Sequence, residues 1–299
     1  MINLSFVQVL GFAVAAILAV LLLAVAAAGY AFWQTVRLPP NAPARFLKQG
    51  RPAPDQRVVV CLGASMVHGR VGVNFVDLVA RKFPVGYSFV NAGVGGDTLF
   101  HAWQRLESVV ACQPDFVVLL CGTNDILGIL DSQAWRRYQG AKRLLQPPSL
   151  ERYRDTLQDV VRQLKTRTRA RLALCSLPVL GEDLTSPANQ RVSEFNAVIR
   201  QMAEQEQVCY LPIFERESPL LTEHQQLSGR AGVAFVVDPQ RRYMQVMLGA
   251  IFQHFLLGRP FDDISRQNGL LLKTDLIHGN SQEAAVIAEE IETFLKANG

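Results

Sequence analysis

The sequence predicts a three-layer α/β/α domain on a parallel sheet of about five strands, preceded by one N-terminal transmembrane helix. Three observations carry that expectation. Short runs rich in Val, Leu, Ile and Phe recur at 57–62, 87–91, 115–121, 171–177 and 208–213, each the length of a strand buried on both faces. Helical patterns separate them, near 74–83, 98–112, 149–168 and 189–206, with two more at 243–257 and 281–297. Strands alternating with helices imply a doubly wound sheet covered on both sides. The third observation is "VLGFAVAAILAVLLLAVAAA", Val9 to Ala28, which has no polar side chain and is long enough to cross the ~30 Å core of a bilayer.

The apolar stretch admits two fates. A cleaved signal peptide would suit the small residues near Ala26, but no Lys or Arg precedes the run to form the usual basic region. An anchor is the better fit. Tyr30, Phe32 and Trp33 follow as interfacial side chains, and Arg37, Arg45, Lys48 and Arg51 come next, so the positive-inside rule puts the main domain on the cytoplasmic side of a single-pass protein. Residues 1–36 are thus expected to form the anchor. Residues 37–56, with five prolines and little apolar periodicity, read as an extended linker, and 57–299 as the folded domain.

Within that domain the helix at 149–168 is the clearest, with Leu150, Tyr153, Leu157, Val160, Val161 and Leu164 on one face and Ser149 as its N-cap. Two excursions interrupt the alternation, at 126–148 and 214–273. Long excursions are usually lids, binding loops or disordered segments. The second contains "YMQVMLGAIFQHFLLGRPF", apolar around most of its circumference, which reads most simply as a buried core helix; a lid over an acyl pocket or a segment touching the membrane surface is the sharper alternative.

Composition excludes several functions. An apolar share of 49% and a net charge of +4 indicate a globular protein with a large core, and the basic residues form no stripe suited to nucleic acid. The densest basic run, Arg136, Arg137, Lys142 and Arg143, reads as a solvated loop, with attraction to an anionic surface as the alternative. Five cysteines, Cys61, Cys112, Cys121, Cys175 and Cys209, lie mostly in strand-like runs; no CxxC pair or Cys/His cluster has zinc spacing. No disulfide framework and no metal are expected.

Candidate chemistry sits where an open α/β sheet binds ligands, beyond the carboxyl ends of its strands. "GASMVHG" (63–69), "NAGVGGDT" (91–98) and "GTND" (122–125) follow the first three strands. Ser65 could act as a nucleophile or merely cap a helix. Gly96 and Asn124 could donate hydrogen bonds to an oxyanion or merely shape turns. His68, His101, His224 and His254 lack a well-spaced acidic partner and read as core or surface residues; Asp97 and Asp125 read as loop-stabilising. "TDLIHGN" (274–280) puts Asp275 three residues before His278, with Asn280 as N-cap and Glu283 at the capping-box position of the terminal helix.

Together the four blocks, in this order, resemble the SGNH hydrolases, or GDSL esterases and lipases, a flavodoxin-like group of serine hydrolases. The likeness runs from about Val58 to the C-terminus. It implies Ser65 as nucleophile, His278 as base, Asp275 as the acid that orients it, and an oxyanion hole from the N–H groups of Ser65 and Gly96 with the Asn124 side chain. It implies no cofactor. Ala64 replaces the aspartate usual between glycine and serine, so hydrogen bonding around the nucleophile must differ. The expected activity is hydrolysis of an acyl ester, such as a lysophospholipid or another lipid, by a membrane-anchored esterase. Deacetylation of a carbohydrate is the alternative within hydrolases, and a non-catalytic tethered binding protein the alternative outside them.

Overall fold

A computed structural model describes residues 6–50, 55–236 and 242–299. It begins with helix α1 (Phe6–Val36), then α2 (Pro43–Gln49), strand β1 (Arg57–Gly63), α3 (Ser65–His68) and α4 (Phe75–Lys82). Next come β2 (Tyr87–Gly93), α5 (Leu99–Gln104), α6 (Leu106–Ala111), β3 (Phe116–Leu120), α7 (Thr123–Leu130) and α8 (Ser132–Ala141). The chain continues through α9 (Leu150–Arg167), β4 (Arg171–Cys175), α10 (Pro187–Glu206), β5 (Cys209–Leu211) and α11 (Ile213–Ser228). It ends with α12 (Arg242–Leu257), α13 (Phe261–Gln267) and α14 (Ser281–Asn298).

All five strands are parallel, in the order β2-β1-β3-β4-β5. Their apolar runs are explained by double-sided burial: every residue of β3 and all but the first of β1 are buried. Helices α4, α11 and α14 pack as neighbours, as do α5, α6, α9 and α10, giving the two outer layers. Register then decides where chemistry can sit. Gly63 pairs with Gly93 on one side and Leu120 on the other, so β1, β2 and β3 end level and release their loops at one edge. Gly63 is needed at that junction, because a Cβ there would lie 2.1 Å from the Leu120 carbonyl oxygen.

Several expectations change on folding. The stretch 37–56 is not simply an extended tether: Pro43 opens α2, a position that tolerates its fixed φ and missing N–H, and Phe46 buries itself in the main core. Asn41 ties the same segment to β2, accepting from the Asn91 amide at 3.0 Å and donating to the Phe89 carbonyl at 3.1 Å. Residues 51–54 lie outside the described residues. Both excursions are largely helical, as α7 and α8 and as α11 to α13; residues 237–241 of the second lie outside the described residues.

The expected core helix at 243–257 is a surface helix. Tyr243 and Ala250 of α12 are buried, but Leu248, Phe252 and Leu257 are more than half exposed. Apolar residues around a whole circumference do not by themselves say what covers them. Helix α1 runs unbroken past the aromatic residues to Val36, and its last turns pack against α12. Gln8–Val36 is long and apolar enough to cross a membrane.

Candidate active site

The loop after β1 turns straight into α3, which puts Ser65 at its first position and His68 at its last. Ser65 Oγ lies 2.9 Å from His278 Nε2, and His278 Nδ1 lies 2.8 Å from Asp275 Oδ2. A carboxylate only accepts, so the Nδ1–H must donate to it, which leaves the Nε2 lone pair facing the serine hydroxyl. Asp275 is fully buried and His278 nearly so. The other carboxylate oxygen of Asp275 accepts from the amides of Ile277 and His278 at 3.1 and 2.8 Å, so the acid also shapes the loop that holds its partner.

That loop is a narrow hairpin whose turn includes Leu276 at φ +76°. A branched residue in the left-handed region costs on the order of 1 kcal/mol and persists only if its surroundings fix it. Here they do: the Thr274 amide donates to the His278 carbonyl at 2.7 Å, and the Gly181 amide to the Leu276 carbonyl at 2.8 Å. From the loop after β4, the buried Glu182 carboxylate accepts from three successive amides, Leu271, Leu272 and Lys273, at 2.7 to 3.0 Å.

Gly96 and Asn124 border the same cleft as Ser65 and His278. Gly96 has φ +76°, where a side chain would be strained, and a Cβ there would meet Lys142 Cε at 3.3 Å. Asn124 Nδ2 donates to the Asp97 carbonyl at 2.8 Å, and the Tyr138 hydroxyl donates to Asn124 Oδ1 at 2.8 Å. One amide hydrogen of Asn124 is thereby left for a ligand. Asp97 does hold its loop, through ion pairs of 2.8 Å with Arg105 and with Lys142. Arg105 also donates to the Gly63 carbonyl at 2.8 Å, joining the first block to the second beside Ala64. Asp125 accepts from the Leu99 amide at 3.0 Å, and burial pushes its carboxyl up to about 7.

The remaining histidines are engaged elsewhere. His68 Nε2 contacts the Arg37 carbonyl at 2.9 Å and burial lowers its pKa; His101 contacts Thr98 and the Lys142 carbonyl. His254 stacks on Phe261, and His224 is exposed on α11. Among the described residues, no group of three or more His, Cys, Asp or Glu is placed to hold a metal ion.

Residues 61–232, more than half of the chain, match the GDSL-like lipase/acylhydrolase family. The chain belongs to that family. The match takes in Ser65, Gly96 and Asn124 and most of the five-stranded parallel sheet that carries them. An acetylxylan esterase of Geobacillus stearothermophilus is 26% identical to the protein over 143 residues, covering 46% of this chain and 61% of the relative, less than two thirds of its length. The crystal structure of the acetyl xylan esterase AlAXEase superposes with a TM-score of 0.55 at 15% identity, covering 79% of this chain and 98% of that one. Axe2, an acetylxylan esterase from Geobacillus stearothermophilus, gives 0.52 at 17% identity, covering 83% and 97%. At such identities the two structures speak for the fold.

Sequence reasoning missed several residues of the site. The basic run is not a solvated loop: Arg137, on α8, donates to the Tyr243 hydroxyl at 3.0 Å, and Lys142 pairs with Asp97. Tyr138 and Lys142 were hidden in an excursion without a long periodic pattern. Glu283 is not half of a capping box. Asn280 caps α14, accepting from Gln282 and Glu283 amides, but the Asn280 amide donates to the Leu272 carbonyl, and the Glu283 carboxylate pairs instead with the fully buried Lys273.

Proposed function

We propose that the protein works as a membrane-anchored serine esterase in which Ser65 is the nucleophile, His278 the general base and acid, and Asp275 the group that orients the imidazole. The observation that carries this reading is the unbroken chain from Asp275 Oδ2 through His278 to Ser65 Oγ at 2.8 and 2.9 Å. Ser65 Oγ forms a bond to the acyl carbon while its proton passes to His278 Nε2, and Asp275 stabilises the resulting imidazolium. The oxyanion is met by the Ser65 and Gly96 amides and Asn124 Nδ2. Collapse of the tetrahedral intermediate expels the alcohol, which takes the proton from His278. Water then repeats the sequence on the acyl-enzyme, releasing the acid and restoring Ser65. No step calls for a cofactor.

Helix α1 serves in this reading as a single-pass anchor, and the Arg and Lys residues that follow it favour the cytoplasmic side for the rest of the chain. A second reading, carbohydrate O-deacetylation, is favoured by the names of the similar esterases. A p-nitrophenyl ester series from acetyl to palmitoyl, assayed with the full chain and with Ser65→Ala, tests both. The expected result is turnover abolished by Ser65→Ala and a preference for acyl groups longer than acetyl; equal turnover by the two proteins removes the nucleophile assignment, and a preference for acetyl selects the carbohydrate reading. A reporter fused to the C-terminus tests the orientation, and a signal from the non-cytoplasmic side reverses it.

A further inference from the structure

Two helices that the chemistry does not use wall the cleft above Ser65. Phe32, Thr35 and Val36 from the end of α1 face Met244, Leu248 and Ile251 from α12 across a space of about 430 Å³ that also contains Ser65 and His278. Phe32, Val36, Leu248 and Phe252 are each more than half exposed. An apolar surface of that kind marks a place where something apolar is meant to lie. Two of the polar groups nearby are bonded within α1: Thr35 Oγ1 donates to the Phe32 carbonyl at 2.7 Å and Gln34 Nε2 to the Tyr30 hydroxyl at 2.7 Å, while the buried Gln34 Oε1 has no partner among the described residues. Phe32 and Val36, exposed while Gln34 is turned in, carry the apolar surface of the helix that is long enough to cross a bilayer into the cleft.

Charge marks the depth at which the mouth sits. Arg37 stacks over the Trp33 ring at 5.2 Å, at the point where α1 ends. Arg70 is within electrostatic reach of Arg37 and Arg45, its pKa lowered by burial and then by Arg37, against the opposing pull of Asp77. Aromatic rings with cations just beyond them are the pattern of a membrane–water boundary. The mouth of the cleft lies beside that boundary, because Phe32, Thr35 and Val36 belong to the same turns as Trp33 and Arg37.

We propose that the last turns of α1 are a specificity wall, and that the groove between α1 and α12 takes the acyl chain of a long-chain ester residing in the same membrane that α1 crosses, with the ester carbonyl over Ser65. The inference rests on the proposed nucleophile and anchor. Each methylene that enters the groove leaves lipid for protein contacts, so the wall selects by shape and length rather than by hydrophobicity alone. Tyr243 and Arg137 close the far side by bonding α12 to α8 at 3.0 Å, so the chain is held between fixed helices.

The test uses the full chain reconstituted in phosphatidylcholine vesicles and compares kcat/KM for p-nitrophenyl palmitate and p-nitrophenyl acetate. Val36→Trp and Leu248→Trp fill the groove from exposed positions and are expected to lower the palmitate-to-acetate ratio at least tenfold, whereas Val85→Trp, at the opposite end of the sheet, keeps the wild-type ratio. If the tryptophan variants lose their melting transition, Val36→Ser and Leu248→Ser are read in the same way, with a drop of at least threefold. An unchanged ratio in the wall variants overturns the inference, as do equal palmitate rates when the ester is supplied in the protein's own vesicles and in separate ones. Residual turnover by Ser65→Ala overturns the nucleophile assignment instead, so the two failures are distinct.

Discussion

Tyr138 donates its hydroxyl hydrogen to Asn124 Oδ1 at 2.8 Å, which turns the amide so that Nδ2 faces the Asp97 carbonyl and the cleft. In the proposed mechanism this tyrosine is a positioning residue. Tyr138→Phe should lower kcat about tenfold with little change in KM, since a misaimed donor is lost mainly to the transition state. Asn124→Ala should cost roughly 10² to 10³ in kcat, and the double variant no more than Asn124→Ala alone. Additive losses in steady-state kinetics would sink the link.

Asp275→Asn keeps an acceptor for the Ile277 and His278 amides, so the loop should survive, but the amide can present a donor to Nδ1 and favour the wrong tautomer. A fall in kcat of up to ~10⁴ with an unchanged melting temperature is expected. A large fall in melting temperature would instead make Asp275 a structural residue first.

Buried Asp125 gives a pH dependence. Its folded-state pKa, about 7, lies above the ordinary aspartate value, so the native state holds a proton that the unfolded state has released. This contribution to stability is fully present below the unfolded value near pH 4 and is lost as pH rises through about 7. Asp125→Asn, which can still accept from Leu99, should flatten the melting temperature across that window. A wild-type profile that is already flat would refute the shift.

Lys273 and Glu283 form an ion pair with essentially no exposure, within electrostatic reach of Glu217, whose carboxyl is pushed up by burial and then by the Glu283 charge. Breaking such a pair from one side leaves a buried charge. Lys273→Met should cost about 3–5 kcal/mol, and Lys273→Met with Glu283→Gln distinctly less. Urea denaturation midpoints of the three proteins decide it.

The parallel sheet and its order of elements were legible because strands buried on both faces leave long apolar runs, and the four blocks were legible because three follow strand ends and the fourth precedes the terminal helix. Glu182 was not, since it meets the amides of Leu271 to Lys273 some 90 residues further along the chain, beyond any local pattern. Glu283 was misread for another reason. A local rule offered it a capping role, and a buried lysine outcompeted that role. Prolines suggested an extended tether at 37–56, whereas Pro43 sits where a proline can begin a helix.

Ser65 and His278 lie 213 residues apart in the chain. At about 5–20 residues per second, a ribosome needs roughly 10–40 s to pass from one to the other. For that interval the nascent protein has Ser65, and later Asn124, but not His278, while α1 precedes them all in the chain. On the proposed assignments, translation therefore delivers the chain to its membrane unarmed, and hydrolysis becomes possible only once the hairpin around Leu276 closes over a sheet that is already built.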